Sequence, residues 1–345
     1  MQVDGKLMSE SLEQIRTSAR QHESDGYAGL WSSESKHDPF LPLAIAGEHT
    51  SRIELGTSIA VAFARSPMTL AYTAWDLQNL TGGRFVLGLG SQVKPHIERR
   101  FSMPWSRPAA RMREMVSAIR AIWSSWETGE RLSFAGDFYQ HTLMTPFFSP
   151  GPNPAGIPKV VVAAVGEAMS EVTGEVCDGV FLHGFTTERY IREVTLPAIE
   201  RGAARAGRSL DGFQIFGLPL TATGRTEEEL AGAVKKVRDQ IAFYGSTPAY
   251  RGVLDLHGWG ELGEELHRLS LRKDDDDRWS KMGDLITDEV LDAFAVVGEP
   301  ETIAGKLVER FEGLVHRIQF YAPYEHAAGM WVPIIEELHN AAAKS

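Results

Sequence analysis

Three histidines of this chain, His37, His96 and His183, sit just beyond or at the end of apolar runs. A side chain that titrates near neutral pH could move a proton at such a position. Each could equally be a structural histidine, and the three stand as alternatives. The stretch Gly82–Gln92 adds a second kind of signal. An apolar run from Arg84, led in by Gly82-Gly83, ends in Gly88-Leu89-Gly90-Ser91. Glycine at the end of a strand lets backbone approach a ligand closely because no Cβ intervenes, or it serves a tight turn. Leu55-Gly-Thr-Ser-Ile59 repeats the design. Two such strand ends side by side point to a flat ligand laid across them.

Known motifs narrow the chemistry. A dinucleotide fingerprint on Gly88 and Gly90 would need a third glycine where Val93 stands. Pro95-His-Ile-Glu98 lacks the second histidine of a zinc helix, and no metal site is expected. Gly56-Thr-Ser-Ile-Ala60 loosely matches the nucleophile elbow of a serine hydrolase, with Ser58 as nucleophile. That motif needs a helix directly after the serine. Here an apolar, extended segment is expected through Ala64, so a hydrolase stays a remote alternative. Ala163-Ala-Val-Gly166 runs straight into a helix, where free backbone N–H groups could hold a phosphate or where strand and helix could simply pack closely. Lys94, Arg99, Arg100, Arg107, Arg111 and Arg113 make a basic stretch that reads as a solvated face or as a site for an anionic tail.

The elements that must position these residues alternate. Strands are expected over 1–6, 27–32, 53–61, 84–89, 159–164, 179–183, 213–220 and 316–321. Helices follow them, from Ser9 as an N-cap, over 40–51, from Pro67, over 107–127, 167–176, 187–206 and 226–243, and to the C-terminus. Eight apolar strands each followed by a helix argue for a parallel sheet covered by helices, and at this length for a (β/α)8 TIM barrel. The chain is expected to be a single domain over 1–345, with a hairpin-bearing insertion near 129–158 and a helical one near 244–300. The latter carries the acidic run Asp274–Asp277, read as a solvated loop. Chemistry in such a barrel sits at the carboxyl ends of the strands. Those ends include Asp4, Trp31, Ser32, Glu34, Ser58, Gly90, Ser91, Gln92, Ala163 to Gly166, His183, Gly184 and Tyr321.

Composition sets the outer limits. The 345 residues are 43% hydrophobic and carry a net charge of −11, which argues against a nucleic acid or an anionic membrane as partner. One cysteine, Cys177, excludes an internal disulfide and suits a reducing compartment. No run approaches a membrane span and no signal-peptide core follows Met1, so a cytoplasmic protein is expected.

Taken in series, several stretches resemble the bacterial luciferase-like family and, within it, the coenzyme F420-dependent oxidoreductases. They are Gly26–Glu34, Ile53–Ile59, Gly82–Ser91, Val161–Gly166, Cys177–Phe181 and Arg317–Pro323. The resemblance implies a (β/α)8 barrel, often dimeric, with a deazaflavin in the mouth, and FMN as the alternative cofactor of a two-component monooxygenase. It implies a cis peptide at Ser58–Ile59 supporting one ring face, with Gly90, Ser91 and Gln92 along the ring edge. Ala163, Ala164, Val165 and Gly166 would approach the phosphate, with His183 and Gly184 nearby. The basic stretch would then meet the coenzyme's oligoglutamate tail. Glu34 matches the family's acid after the second strand, but Ser35 stands where a histidine follows it, and Val93 where some sugar-phosphate enzymes carry a glutamate. Glu34 with His37 is therefore the expected acid/base pair, with His96 as substitute. The partners implied are a small-molecule substrate (an activated alkene, imine, carbonyl or alcohol), a second copy of the chain, and an F420-reducing enzyme as electron source.

Overall fold

The computed structural model describes residues 1–7, 11–272, 274, 277–327 and 329–342. Eight parallel strands close into a barrel: β1 Gln2–Lys6, β2 Gly29–Ser32, β3 Glu54–Thr57, β4 Phe85–Gly90, β5 Lys159–Ala164, β6 Gly179–Leu182, β7 Gln214–Gly217 and β8 Arg317–Ile318. Leu55 pairs with Phe85 and Gln2 with Arg317, which closes the ring. The expected TIM barrel is the observed fold.

Period-two alternation explains why these strands curl around a filled centre. Phe85, Leu87 and Leu89 of β4, and Val160 and Val162 of β5, point outward into the helix-facing core. Val86, Val161, Phe181 and Phe216 point inward and meet around Trp31. The surrounding helices are α1 Leu12–Ser24, α2 Leu41–His49, α3 Pro67–Leu80, α4 Pro108–Thr128, α5 Glu167–Val176 and α6 Leu196–Ala206. After them come α7 Glu227–Gly245, α8 Pro300–Phe311 and α9 Val332–Ala342. Sequence chemistry sets several boundaries. The Ser66 side chain accepts from Thr69 N at 3.1 Å ahead of Pro67. Gly129, at φ 72°, ends α4 in the left-handed conformation. On α4, Met112, Met115, Val116, Ile119, Ile122 and Trp123 are buried, as their spacing requires. The turn Ile191–Thr195 widens just before α6, where Pro197 can offer no N–H.

Four expectations are corrected. The third strand breaks after Thr57 and resumes only over Ala60–Val61, and Ala62–Ala64 is a tight helical turn rather than extended. The seventh strand ends before Pro219, and Leu220–Thr223 pairs instead with Ala295–Gly298 in a separate parallel two-stranded sheet. Helix α7 packs on that small sheet rather than on the barrel, so the excursion from the barrel runs from 218 to 299. The eighth strand keeps only Arg317–Ile318 in the ladder, with Tyr321 bridging to Leu220. The hairpin within 129–158 joins Phe134–Ala135 to Gln140–His141. Ser9, the expected cap of the first helix, and Asp275 and Asp276 of the acidic run lie outside the described residues.

Candidate active site at the mouth of the barrel

The floor of the mouth is ionic and aromatic. Arg317 and Asp4 are each only 2% exposed. The Arg317 guanidinium donates to both Asp4 carboxylate oxygens, at 2.5 and 3.0 Å, and also to Glu54. Its carbon lies 5.5 Å from the Trp31 ring centre and 5.3 Å from that of Phe216. Burial opposes the Arg317 charge, but the carboxylates of Asp4 and Glu54 outweigh it and raise its pKa. Asp4 was expected at a strand end; it belongs to this floor.

Above the floor opens a cavity of about 630 Å³, bounded among others by Lys6, Trp31, Ser58, Gln319, Tyr244 and Tyr321. On one wall Ser58 begins the segment Ser58–Val61, which carries a cis peptide at Ser58–Ile59. Ser58 N donates to Ser32 O at 2.8 Å, and Glu34 N to Ile59 O at 3.1 Å. The Glu34 carboxylate accepts from Val61 N at 2.7 Å and from Arg65 at 2.6 Å, with only 6% of its side chain exposed. Glu34 thus ties the wall together, and its carboxylate acts as an acceptor.

The strand-end glycines serve packing. The Thr57 hydroxyl donates to Gly88 O at 2.6 Å and accepts from Gly88 N at 3.0 Å. A Cβ on Gly88 would overlap the Thr57 carbonyl, and one on Gly90 would lie 2.7 Å from the Ile59 side chain. Their bare backbone admits the neighbouring strand and Ile59. Ser91 and Gln92 form the rim beyond them. The Ser91 hydroxyl donates to Gln92 O, and Gln92 adopts φ 60°.

Across the barrel, Ala163 packs partly buried against the inner cluster, while Ala164 is buried among outward-facing residues. Ala164 therefore turns away from the mouth, as alternation along β5 demands. Val165 is half-buried and Gly166 is exposed at the start of α5, with nothing within 4 Å of a Cβ placed on it. That helix start is open.

His183 follows β6 at the carboxyl end of the barrel. Its Nδ1 accepts from Phe185 N at 3.0 Å, which leaves the ring proton on Nε2, 3.4 Å from the Tyr250 hydroxyl. Its ring packs 4.6 Å from Tyr244 and 4.7 Å from Tyr250. Burial pushes its pKa down to about 4, so it is neutral at neutral pH. A folded-state pKa below the unfolded value makes the contribution of His183 to stability fall as pH drops from about 6.5 through about 4. His183→Gln should remove up to about 3 kcal/mol of that acid sensitivity. Urea unfolding measured across that window checks it; parallel profiles for the two proteins would refute it.

Gly184 gives room to the Tyr321 ring, 2.7 Å from where its Cβ would stand. The Tyr321 and Tyr244 hydroxyls are 2.8 Å apart, and burial raises both pKa values. Lys6, Tyr244 and Tyr250 escaped the sequence reading. The alternation that turns Asp4 inward also turns Lys6 inward, so Lys6 had a signal. The two tyrosines come from the excursion and had none. His37 is exposed and lines an adjoining cavity. His96 is exposed on the turn His96–Arg100 and does not bound the main cavity. In the basic stretch, Arg107 pairs with Asp137, Arg113 with Glu175, and Arg111 bonds Tyr139 and Pro104. Arg99 and Arg100 stay exposed, and Arg100 donates to Ser35 O at 2.6 Å.

A closed parallel barrel with a polar mouth at its carboxyl end, with Ser58 on its wall, defines the class, and the sequence places the chain within it. The chain belongs to the luciferase-like monooxygenase family, whose profile matches residues 1–317. It is 54% identical over 318 residues to an uncharacterized protein of Mycobacterium tuberculosis, covering 92% of each chain. It is 26% identical over 296 residues to 5,10-methylenetetrahydromethanopterin reductase of Archaeoglobus fulgidus, covering 83% of this chain and 82% of that protein. Its fold matches the coenzyme F420 dependent tetrahydromethanopterin reductase of Methanopyrus kandleri with a TM-score of 0.74 at 18% identity, over 98% of this chain and 96% of that one. Among the described residues, no helix is long and apolar enough to cross a membrane.

Proposed function

We propose that the protein is an F420-dependent oxidoreductase that passes a hydride between a deazaflavin and a small organic substrate. The observation that carries this is the 630 Å³ mouth cavity, whose lining mixes Trp31, Leu218 and Phe320 with Lys6, Ser58 and Gln319, set across the barrel from the open start of α5. These residues fit a flat ring with a phosphate-bearing tail. Ile59, Ser58 and Gly90 would stand along the ring, Ser91 and Gln92 at its rim, and Ala163, Val165 and Gly166 toward the phosphate. Neutral His183 adds no cation beside the ring. The likeness to a coenzyme F420 dependent reductase supports the deazaflavin reading.

When bound, a reduced deazaflavin supplies a hydride, whereas reduced FMN can also react with oxygen. The chain's own part is to align the two reactants and to exclude water. Of the expected acid/base pair, Glu34 is bound into the wall and His37 opens into the adjoining cavity. Among the proton-holding groups that bound the mouth itself are the Tyr321 and Tyr244 hydroxyls. With pKa values held high they keep their protons and can donate to a substrate oxygen that gains negative charge. A hydrolase at Ser58 has no support from the local structure. The strand Ala60–Val61 and a tight turn follow Ser58 where an elbow would need a helix, and no histidine bonds Ser58 among the described residues. A homodimer, an F420-reducing electron source and a cytoplasmic setting belong to the same proposal.

Titrating the apoprotein with oxidised F420 and, separately, with FMN, followed by tryptophan fluorescence, tests the reading. Tight F420 binding with weak FMN binding is the expected result. The reverse preference would make the protein a flavin-dependent monooxygenase, and binding of neither would end the redox assignment.

A further inference from the structure

We propose that the inner end of β1 and the loop after β2 build a subsite for an anionic group, a phosphate or carboxylate, on a molecule whose remainder lies in the barrel mouth. A second cavity of about 330 Å³ adjoins the first, and Lys6 and Ser33 line both. Lys36, His37, Ser35 and Gln14 complete the relevant lining. Two lysines, a histidine and three serines border a space large enough for an oxyanion and its nearest atoms. This donor set matches an anion's acceptor oxygens.

Among the described lining residues the positive charge is uncompensated. Asp38 is the one acid among the described lining residues, and it is turned to other work. Its Oδ2 pairs with Arg65 at 3.2 Å, and its Oδ1 accepts from Phe40 N at 2.8 Å and Leu41 N at 3.2 Å. Neither Lys6 nor Lys36 makes an ion pair among the described residues. Lys6 reaches solvent through these openings, while burial by the surrounding protein lowers its pKa. An anion beside it would offset that burial. A lysine pair on an open helix face would have water all round; this pair shares a concave wall with the mouth. Lys6 at the junction is what links the subsite to the site of reaction.

The identity of the molecule's remainder rests on the function proposed above; the anion subsite does not. The test is a titration of the apoprotein with inorganic phosphate at neutral pH, followed by NMR of nitrogen-labelled histidine. His37→Gln assigns the His37 signal. The signal should move saturably with phosphate and not with chloride at equal ionic strength. In Lys6→Met/Lys36→Met the affinity read from it should fall at least tenfold. A His37 signal that ignores phosphate, or that moves equally in the double variant, would overturn the proposal. F420 titration of Lys36→Met tells the two sources of the anion apart. Unchanged affinity assigns the anion to the substrate, and a tenfold loss assigns it to the coenzyme's own carboxylates. Should wild-type protein bind phosphate here yet fail to bind F420, the coenzyme reading falls and the subsite stands.

Discussion

Arg317→Met should lower the free energy of unfolding by about 3–5 kcal/mol, and Asp4→Leu introduced with it should restore most of that loss. Both partners are 2% exposed, so neither has water to fall back on. Removing the guanidinium leaves the Asp4 carboxylate beneath Trp31 and Phe216 without its bidentate donor. An unpaired buried charge is penalised far more than the net worth of the pair, because desolvation remains while attraction is gone. Replacing both partners by apolar side chains removes the penalty along with the pair. Glu54 would lose the same donor, but it lies closer to solvent and has Lys159 nearby at 3.8 Å. Urea unfolding of wild type and both variants at neutral pH is the measurement. A single variant within about 1 kcal/mol of wild type, the size of an exposed pair, would mean that this ion pair is far better hydrated than its burial implies.

What was legible in the sequence was what the helices see. Outward residues such as Leu87, Val160 and Val162 give apolar strands, and the apolar spacing on α4 gives a helix, because both signals are local. The eightfold alternation of these signals was enough for the barrel. Inward residues were harder. Asp4 and Arg317 are 313 positions apart in sequence, so nothing local announces their pairing. What the glycines pack against was not legible, because which groups occupy the space beside a bare backbone depends on the partner strand. Thr57 and Ile59 occupy the space beside Gly88 and Gly90. The excursion was placed too late for a related reason. Leu220–Thr223 looks like a continuation of the strand before it until its partner, Ala295–Gly298, is found 75 positions on. Tyr244 enters the mouth only through that excursion, and so went unread.

Glu34 separates a wall residue from a proton-transfer residue, and its substitution should do so in the test tube. Glu34→Ala removes the acceptor of Val61 N and the partner of Arg65 in one step. With the Glu34 side chain only 6% exposed but Arg65 at 18%, partial hydration softens the loss to about 2–3 kcal/mol of stability. The larger effect should fall on the wall itself. Once Val61 N is freed, the Ser58–Val61 segment loses its side-chain anchor to the β2 loop and keeps the backbone bonds to Ser32 and Glu34 and the pairing of Ala60 and Val61 with Leu89 and Gly90. F420 affinity, measured by fluorescence titration, should weaken at least tenfold. His37→Ala touches none of these bonds and should leave stability at the wild-type value. Glu34→Gln makes the argument sharper, since its amide oxygen can still accept from Val61 N while the charge facing Arg65 is gone. It should retain most of the F420 affinity that Glu34→Ala loses. If Glu34→Ala binds F420 as wild type does and slows only the hydride-transfer step, the carboxylate is the reaction's acid after all, and its bonds to Val61 and Arg65 serve to aim it.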